Sequence, residues 1–320
     1  MNPYIGYDTQ VWGVEEHRLV GGKGDGMRLF EVNNGKGLEL TISPDRAGDI
    51  TRLRYKGINM SFLSPCGYVA PAYYDCTENN WLKSFTAGFL TTCGLETVGS
   101  PSVDEGEYFP LHGSISNTPC DQAYWREEAG RLILHTLCKD EVIFARKLRL
   151  EREIVVSTDE NKFDICDTIT NTGDKEEPMM ILYHINLGYP LLDEDSVLTI
   201  PSAQVIPRDA HAAEDMANWM HMQKPTPGYV ERCYFHKFPD GNGIASIYQP
   251  KLNIKLSIQF DAKELEGFTQ WKMMGVRDYV LGLEPGNCYP DGRKAMREIG
   301  MLKFLQPGES KTYRVKICLD

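Results

Sequence analysis

Short runs in which apolar and polar residues alternate recur along most of the chain. They include GLELTI (37–42), RLILHTL (131–137), FDICDTIT (163–170), LNIKLSIQF (252–260) and TYRVKICL (312–319). Alternation with a period of two places every second side chain on one face of a β-strand. Glycine, asparagine, aspartate and proline separate the runs, as in the segments NTGDKEEP and PDGNG, and such residues favour hairpin turns. The sequence therefore predicts antiparallel strands with one buried face each.

Helical patterns are scarce by comparison. The best candidate is the segment DAHAAEDMANWM at 209–220, and no regular alternation of strands and helices is present. A doubly wound or TIM-barrel fold is therefore not expected. We predict an all-β fold, a large antiparallel β-sandwich with few short helices. One domain spans 1–320, and 1–36 forms an N-terminal extension leading into the first strands.

Composition limits the classes of function. The 320 residues carry a net charge of −11, which argues against nucleic acid as a partner because phosphates require a Lys/Arg-rich surface. The N-terminus has no signal-peptide pattern, and no apolar stretch is long enough to span a membrane. Nine scattered cysteines, an odd number without a CxxC pair, indicate reduced thiols and hence a cytoplasmic protein.

Three distant segments each place one ionisable side chain beside turn-forming residues. They are LHG with His112, YHINLGYP with His184 and GLEPGN with Glu284. His112 lies at the end of the irregular region 57–125, where Gly113 permits close backbone approach. His184 is expected to end the apolar strand MMILY, and Glu284 follows the apolar run YVLGL. Because the segments are far apart in sequence, only the fold could bring them together.

Two imidazoles and a carboxylate in one cleft suit two kinds of chemistry. They can transfer protons at an oxygen centre, because burial and neighbouring groups tune their pKa values towards neutrality. They could also form a His₂Glu metal site. A buried structural histidine or a turn-stabilising glutamate is the ordinary explanation for each residue taken alone.

The three segments, taken in order, resemble the aldose 1-epimerase (galactose mutarotase) superfamily. The matching text is LHG, then NTGDKEEPMMILYHINLGYP, then VLGLEPGN, with a PGES turn before the last strand. The resemblance covers the chain from about residue 37 to the C-terminus. The segment LTTCGLETVG at 90–99 is similar to an uncharacterised branch of the superfamily.

The resemblance implies a galactose mutarotase-like supersandwich that interconverts the α and β anomers of an aldose or a modified sugar. Glu284 would be the general base at the anomeric hydroxyl, and His184 the general acid at the ring oxygen. His112 would stabilise charge in the same region. The chemistry would require no metal and no cofactor, and the partner would be a small sugar rather than nucleic acid or a membrane.

Sugar sites commonly combine an aromatic face with polar clamps, and three further residues are candidates for these roles. Trp271 is predicted as a stacking platform, Arg46 as a hydroxyl clamp and Asn186 as a second hydroxyl ligand. Two alternatives to the mutarotase hypothesis remain. One is a metal-dependent sugar-modifying enzyme using the His₂Glu set, and the other is a non-catalytic sugar-binding protein.

Overall fold

The computed structural model describes residues 3–320, and most of its regular structure is β-strand. The strands that precede His112 are β1 (Gly13–Arg18), β2 (Arg28–Asn33), β3 (Leu38–Ser43), β4 (Asp49–Tyr55), β5 (Ile58–Asn59), β6 (Phe62–Leu63), β7 (Ala87–Gly88), β8 (Leu90–Leu95), β9 (Ser102–Asp104) and β10 (Glu107–Phe109). The strands that follow His112 are β11 (Gln122–Glu127), β12 (Arg131–Glu141), β13 (Lys147–Ser157), β14 (Lys162–Asn171), β15 (Glu177–Leu187), β16 (Val197–Thr199), β17 (Gln204–Pro207), β18 (Arg232–Lys237), β19 (Asn242–Gln249), β20 (Ile254–Asp261), β21 (Phe268–Met274), β22 (Tyr279–Glu284), β23 (Lys303–Leu305) and β24 (Ser310–Leu319). The prediction of an all-β fold is confirmed.

The α-helices within the described residues are short. Helix α1 (Ala210–Ala213) begins after Asp209, whose side chain accepts a hydrogen bond from the backbone N–H of Ala212. This contact satisfies one of the free donors at the start of a helix. The predicted helix at 209–220 is thus confirmed only for its first turn. Helix α2 (Arg293–Glu298) has no counterpart among the sequence predictions.

Three antiparallel sheets form the body of the fold. A five-stranded sheet has the order β1-β2-β3-β4-β5, and an eight-stranded sheet has the order β11-β12-β13-β14-β24-β20-β19-β16. A seven-stranded sheet has the order β17-β18-β21-β22-β15-β23, with β8 also paired to β15. Apolar side chains from all three sheets meet in one core. No helix within residues 3–320 is long and apolar enough to cross a membrane.

Strands β13 and β14 show how the sequence pattern produces a sandwich. In both strands buried positions alternate strictly with half-buried ones, as the period of two predicted. Leu148, Leu150 and Ile154 of β13, and Ile165 and Ile169 of β14, point into the core. Burial of such a side chain stabilises the fold by roughly 1.5–3 kcal/mol. A shift of the strand register by one residue would expose every buried side chain of the strand and lose this stabilisation.

Strand β15 differs because both of its faces are buried. Ile181 and Tyr183 point into the main core, whereas Met180 and Leu182 pack in a second apolar cluster on the opposite face. Its sequence is accordingly a continuous apolar run rather than an alternating one. This strand carries His184 on the face of the second cluster, which places the imidazole beside an apolar cavity.

The strands also begin earlier than the sequence pattern indicated. Segment 1–36, predicted as an extension leading into the first strands, itself contributes β1 and β2 to the five-stranded sheet. The irregular region 57–125 contains only short strands and 3₁₀ turns before β11, apart from the six-residue β8. Its loops cover one face of the seven-stranded sheet, where they form the walls of the site.

Candidate active site

A cavity of about 620 Å³ lies on one face of the seven-stranded sheet. Its floor is built by alternate residues of neighbouring strands, and these are Cys233, Thr269, Trp271, Met273, Val280, Glu284 and His184. Because side chains of a strand alternate between faces, the period of two in β21 and β22 collects these groups on the same side. Loops of the irregular region supply most of the wall.

His184 and Glu284 meet because their strands are neighbours. Strands β15 and β22 pair antiparallel with Ile185 opposite Leu283, and continuing that register by one residue puts His184 opposite Glu284. Directly opposed residues in an antiparallel pair have their Cβ atoms about 4.5–5.5 Å apart. The His184 Nδ1 and Glu284 Oε1 atoms are 3.4 Å apart. A separation of 100 residues in sequence thus becomes a cross-strand contact.

The position of His184 within its strand differs from the prediction. Strand β15 continues to Leu187, three residues beyond His184, so the prediction that His184 ends the strand is wrong. The strand continues because the backbone beyond His184 still pairs with β22. Glu284, by contrast, is the last residue of β22.

Glu284 is a buried carboxyl with little compensation. Its side chain is 2 % exposed, and Oε1 forms no hydrogen bond. Burial, reinforced by the nearby Glu231 carboxylate, raises the pKa of Glu284 well above its ordinary value. The absence of a side chain at Gly282 makes room for this carboxyl, because a Cβ there would stand 2.3 Å from Oε1.

The environment of His184 shifts its pKa in the opposite direction. Burial lowers the pKa of His184 to about 4, since the charged imidazolium is disfavoured away from water. With the pKa of Glu284 raised and that of His184 lowered, the neutral forms of both groups are favoured. In that state the pair shares one titratable proton, which resides on the carboxyl, and its transfer across the 3.4 Å contact produces an imidazolium and a carboxylate.

His112 approaches the same point from a loop. Its ring centroid is 5.5 Å from that of His184, and the two rings meet edge to face. The backbone N–H of Gly99 donates to His112 Nδ1 at 3.3 Å. A neutral imidazole whose Nδ1 accepts must carry its proton on Nε2. Burial and the neighbouring His184 lower the pKa of His112 well below its ordinary value, which favours this neutral donor form.

Aromatic rings enclose the paired groups. The Trp271 ring lies 5.2 Å from the His184 ring, and Phe85 lies 5.3 Å from it on another side. Trp81 packs against His112 with the ring centroids 4.8 Å apart. These faces exclude water from the pair while leaving flat apolar surfaces of the kind on which sugar C–H faces pack.

Polar groups that the sequence analysis did not identify complete the cavity wall. Arg208, Glu231 and Asp278 line it, and Arg208 Nη2 donates to Glu231 Oε1 at 3.4 Å. The indole Nε1–H of Trp271 donates to Glu231 Oε2 at 2.6 Å. Arg208 and Glu231 come from loops that precede α1 and β18 and show no motif. Only their contact across the cavity distinguishes them from ordinary surface charges.

The structure does not bring Arg46 and Asn186 to this cavity. Arg46 is 2 % exposed and donates to the backbone carbonyl of Val69 at 2.9 Å. Asn186 is fully buried, and its Nδ2 donates to the backbone carbonyl of His184 at 2.8 Å. Both side chains therefore bind backbone carbonyls away from the cavity lining, and their prediction as hydroxyl ligands is corrected by their position. Trp271, the third candidate, does line the cavity.

The geometry of the described residues bears on the alternative of a metal site. Within residues 3–320, no group of three or more His, Cys, Asp or Glu side chains is arranged to hold a metal ion. In particular, His112 Nδ1 is taken up by a backbone N–H, and His184 Nδ1 faces Glu284.

Comparison with solved structures shows the fold. A putative aldose 1-epimerase from Klebsiella pneumoniae is 27% identical with a TM-score of 0.89, covering 96% of this chain and 83% of that protein. A galactose mutarotase-like protein from Clostridium acetobutylicum is 13% identical (TM-score 0.69, 97% and 99% covered). Galactose 1-epimerase from Lactobacillus acidophilus is also 13% identical (TM-score 0.65, 97% and 99% covered). The chain shares the fold of these aldose 1-epimerases and mutarotase-like proteins.

Sequence comparison places the chain in a family. None of the functionally curated proteins matches its sequence. The profile of one family, described as a domain of unknown function (DUF4432), matches residues 24–319. Because the match covers nearly the whole chain, the protein belongs to the DUF4432 family.

Proposed function

We propose that this protein is an aldose 1-epimerase-like isomerase that interconverts the α and β anomers of an aldose or a modified sugar. The observation that carries the proposal is the pair of His184 Nδ1 and Glu284 Oε1, 3.4 Å apart on the floor of an aromatic-walled cavity. Anomerisation requires one group that accepts a proton and one that donates a proton within reach of the same hemiacetal. The fold shared with aldose 1-epimerases supports the same reaction class.

The reaction opens and recloses the sugar ring. Glu284 takes the proton from the anomeric hydroxyl, the C1–O1 bond becomes a carbonyl, and the C1–O5 bond breaks. His184 delivers the Nε2 proton to O5 as the bond breaks. Rotation about C1–C2 presents the other face of the carbonyl, and the reverse transfers form the other anomer. General acid–base assistance of this kind contributes about 10²–10⁴-fold per group.

The shared proton explains how one pair can supply both functions. With the proton moved from Glu284 to His184, the carboxylate is a base and the imidazolium is an acid, and no net charge enters the cavity. His112 donates from Nε2 towards the same region and stabilises the negative charge that develops on the sugar oxygen. The chemistry requires neither a metal nor a cofactor.

The cavity walls offer contacts for sugar binding. Trp271 presents an aromatic face, and its indole is fixed by Glu231. Arg208 and Glu231 provide donors and acceptors for hydroxyl groups, in place of the predicted Arg46 and Asn186. The cytoplasm remains the compartment predicted from the scattered, odd-numbered cysteines.

The test is direct observation of anomer exchange by NMR in a panel of free and phosphorylated aldoses. We expect the protein to accelerate exchange of at least one sugar, and the Glu284→Gln variant to reduce that rate by about 10²-fold or more. The Gln side chain keeps the size of Glu284 but cannot accept the proton. Glu298→Gln serves as control, because the Glu298 side chain is 64% exposed on α2.

Three results would contradict the proposal. Sugar binding without acceleration of exchange would indicate a non-catalytic sugar-binding protein. An unchanged rate in Glu284→Gln would place the base elsewhere. Loss of the rate on chelation, with recovery on addition of a divalent metal, would indicate the metal-dependent alternative.

A further inference from the structure

The turn that carries His112 has an unusual backbone conformation. His112 and Gly113 have φ values of 57° and 75°, in the left-handed region that side chains other than glycine seldom adopt. The turn packs tightly against the segment around Gly94. A Cβ on Gly113 would stand only 2.3 Å from the Gly94 carbonyl oxygen, so the position has no room for a side chain. Such a conformation persists only where surrounding contacts hold it.

Glu96 supplies contacts that hold the turn. Its Oε1 accepts hydrogen bonds from the backbone N–H of Ser114 at 3.0 Å and from the Ser114 hydroxyl at 2.8 Å. Glu96 also lies three residues before Gly99, whose N–H donates to His112 Nδ1 and whose carbonyl accepts the His112 N–H. One carboxyl therefore connects the two segments that fix the backbone and the ring of His112.

The Arg146 guanidinium, which also contacts Asp140, fixes the Glu96 carboxyl in turn. Arg146 Nη2 lies 3.5 Å from Glu96 Oε1 and 2.9 Å from Asp140 Oδ1. Glu96 and Asp140 are 3 % and 5 % exposed, whereas Glu107, 3.8 Å from Arg146 Nη1, is 55 % exposed. The guanidinium thus anchors the Glu96 carboxyl against the hairpin between β12 and β13.

The protonation of Glu96 also follows from this setting. Burial, together with the neighbouring Asp140 carboxylate, raises the pKa of Glu96 to about 8. Near neutral pH the group is then largely a neutral carboxylic acid whose carbonyl oxygen accepts the Ser114 donors. A glutamine at this position would present the same acceptor oxygen without a charge.

We propose that Glu96 is a positioning residue for His112: its carboxyl, anchored by Arg146, holds the Ser114 turn so that His112 keeps Nδ1 on Gly99 and presents Nε2–H to the cavity. Glu96 is not among the residues that line the cavity. The expected effect of Glu96 on turnover rests on the proposed function, whereas its effect on the position and tautomer of His112 does not.

The first experiment needs no sugar. We would record long-range ¹H–¹⁵N spectra of histidine-labelled protein and assign His112 by the signals lost in His112→Asn. In the wild type, His112 should give one Nε2–H tautomer with well-separated ring nitrogen shifts. In Glu96→Ala the two shifts should move together as the tautomers exchange, while those of His236, whose ring nitrogens contact Ser202 and Gln270, stay unchanged. Glu96→Gln should restore the wild-type pattern.

The second experiment measures turnover on whichever sugar the NMR panel identifies. Glu96→Ala should lower kcat about tenfold or more with KM changed less than threefold, and Glu96→Gln should recover most of the rate. Glu107→Gln is the matched control, because Glu107 contacts the same Arg146 from an exposed position, and it should leave both constants unchanged.

Specific outcomes would overturn the inference. An unaltered His112 spectrum in folded Glu96→Ala would show that the turn holds itself. If Glu96→Ala fails to fold, Glu96→Leu fills the same space but removes the acceptor of both Ser114 hydrogen bonds, and an unaltered His112 spectrum in that variant would likewise refute the role of Glu96. A lack of activity on every sugar would refute the proposed function alone, since the spectra report on His112 independently.

Discussion

Two buried groups of ionisable side chains in this protein are built in contrasting ways. The first surrounds Arg152 between the sheets, and the second is the pair of His184 and Glu284 in the cavity. Arg152 is fully buried, and its guanidinium donates to both oxygens of Asp167 at 2.8 and 2.7 Å and to Asp49 at 2.9 Å. The backbone N–H and the hydroxyl of Thr92 also donate to Asp49, at 2.9 and 2.6 Å.

The cavity pair has none of this compensation. Neither His184 Nδ1 nor Glu284 Oε1 forms a hydrogen bond with any residue in 3–320, although the two atoms face each other at 3.4 Å. Full pairing keeps Arg152 charged, whereas incomplete pairing drives His184 and Glu284 towards neutrality. Burial of equal depth thus gives a structural ionic group in one place and a group ready to exchange protons in the other.

The largest expected effect comes from breaking the structural group. Arg152→Met should lower the free energy of unfolding by about 3–5 kcal/mol, because Asp49 and Asp167 would remain buried without a counter-charge. Chemical denaturation at pH 7 measures it. Arg126→Met is the control, since Arg126 pairs with Glu153 at 2.9 Å where both side chains are about 40% exposed. Such a surface pair contributes only about 0–1 kcal/mol, so equal losses in the two variants would contradict the comparison.

Removing the ionisable carboxyl of the cavity pair should have the opposite effect on stability. A carboxyl with a raised pKa keeps its proton in the folded state while the unfolded state releases it, so it lowers stability as pH rises above the ordinary glutamate range. Relative to the wild type, Glu284→Gln should therefore gain about 1.4 kcal/mol in free energy of unfolding per pH unit, up to the raised pKa of Glu284. Denaturation of both proteins in half-unit steps from pH 5 to pH 8.5 tests this. A difference that stays constant over the whole series would contradict the raised pKa of Glu284.

The rate of anomerisation should report the same shared proton. As pH falls through about 4, His184 becomes protonated while Glu284 keeps its own proton. Neither group of the pair can then act as a base. As pH rises past the raised pKa of Glu284, the pair loses its only proton and His184 ceases to be an acid. The profile of kcat/KM should thus be a bell with a broad plateau, falling about tenfold per pH unit on each side. An acid limb near pH 6.5 would contradict the lowered pKa of His184.

Much of the fold follows from local pattern, and the two long strands β13 and β14 show why. Apolar and polar residues alternate in the sequences of both strands, because each strand buries only one of its two faces. The first strands were missed because β1 is mostly exposed and its run EEH has no apolar alternation. Most of the predicted helix at 209–220 instead forms turns, which no periodicity could reveal.

The site was predictable only in part. His112, His184 and Glu284 stood out through their flanking turn residues, and cross-strand register brings the last two together. Arg46 was misassigned because a buried arginine that caps a backbone carbonyl has the same sequence appearance as a substrate clamp. Arg208 and Glu231 carried no local signal, since only the closing of separate loops around the cavity makes them neighbours.

The smallest expected effect concerns the indole of Trp271, which tests how far polar contacts at the cavity wall matter compared with the unpaired groups on its floor. Trp271→Phe keeps an aromatic face beside His184 but removes the hydrogen bond from Nε1 to Glu231.

One such bond contributes about 0.5–1.5 kcal/mol, or up to 3 kcal/mol with a charged partner, and Glu231 remains partly solvated at 45 % exposure. We therefore expect KM to rise about three- to tenfold with kcat nearly unchanged, because Glu231 and Arg208 lose a fixed orientation while the proton-transfer pair is untouched. Trp271→Ala, which also removes the ring, should raise KM further. A fall in kcat with constant KM in Trp271→Phe would instead mean that the indole acts on the His184–Glu284 pair, and the division between wall and floor would fail.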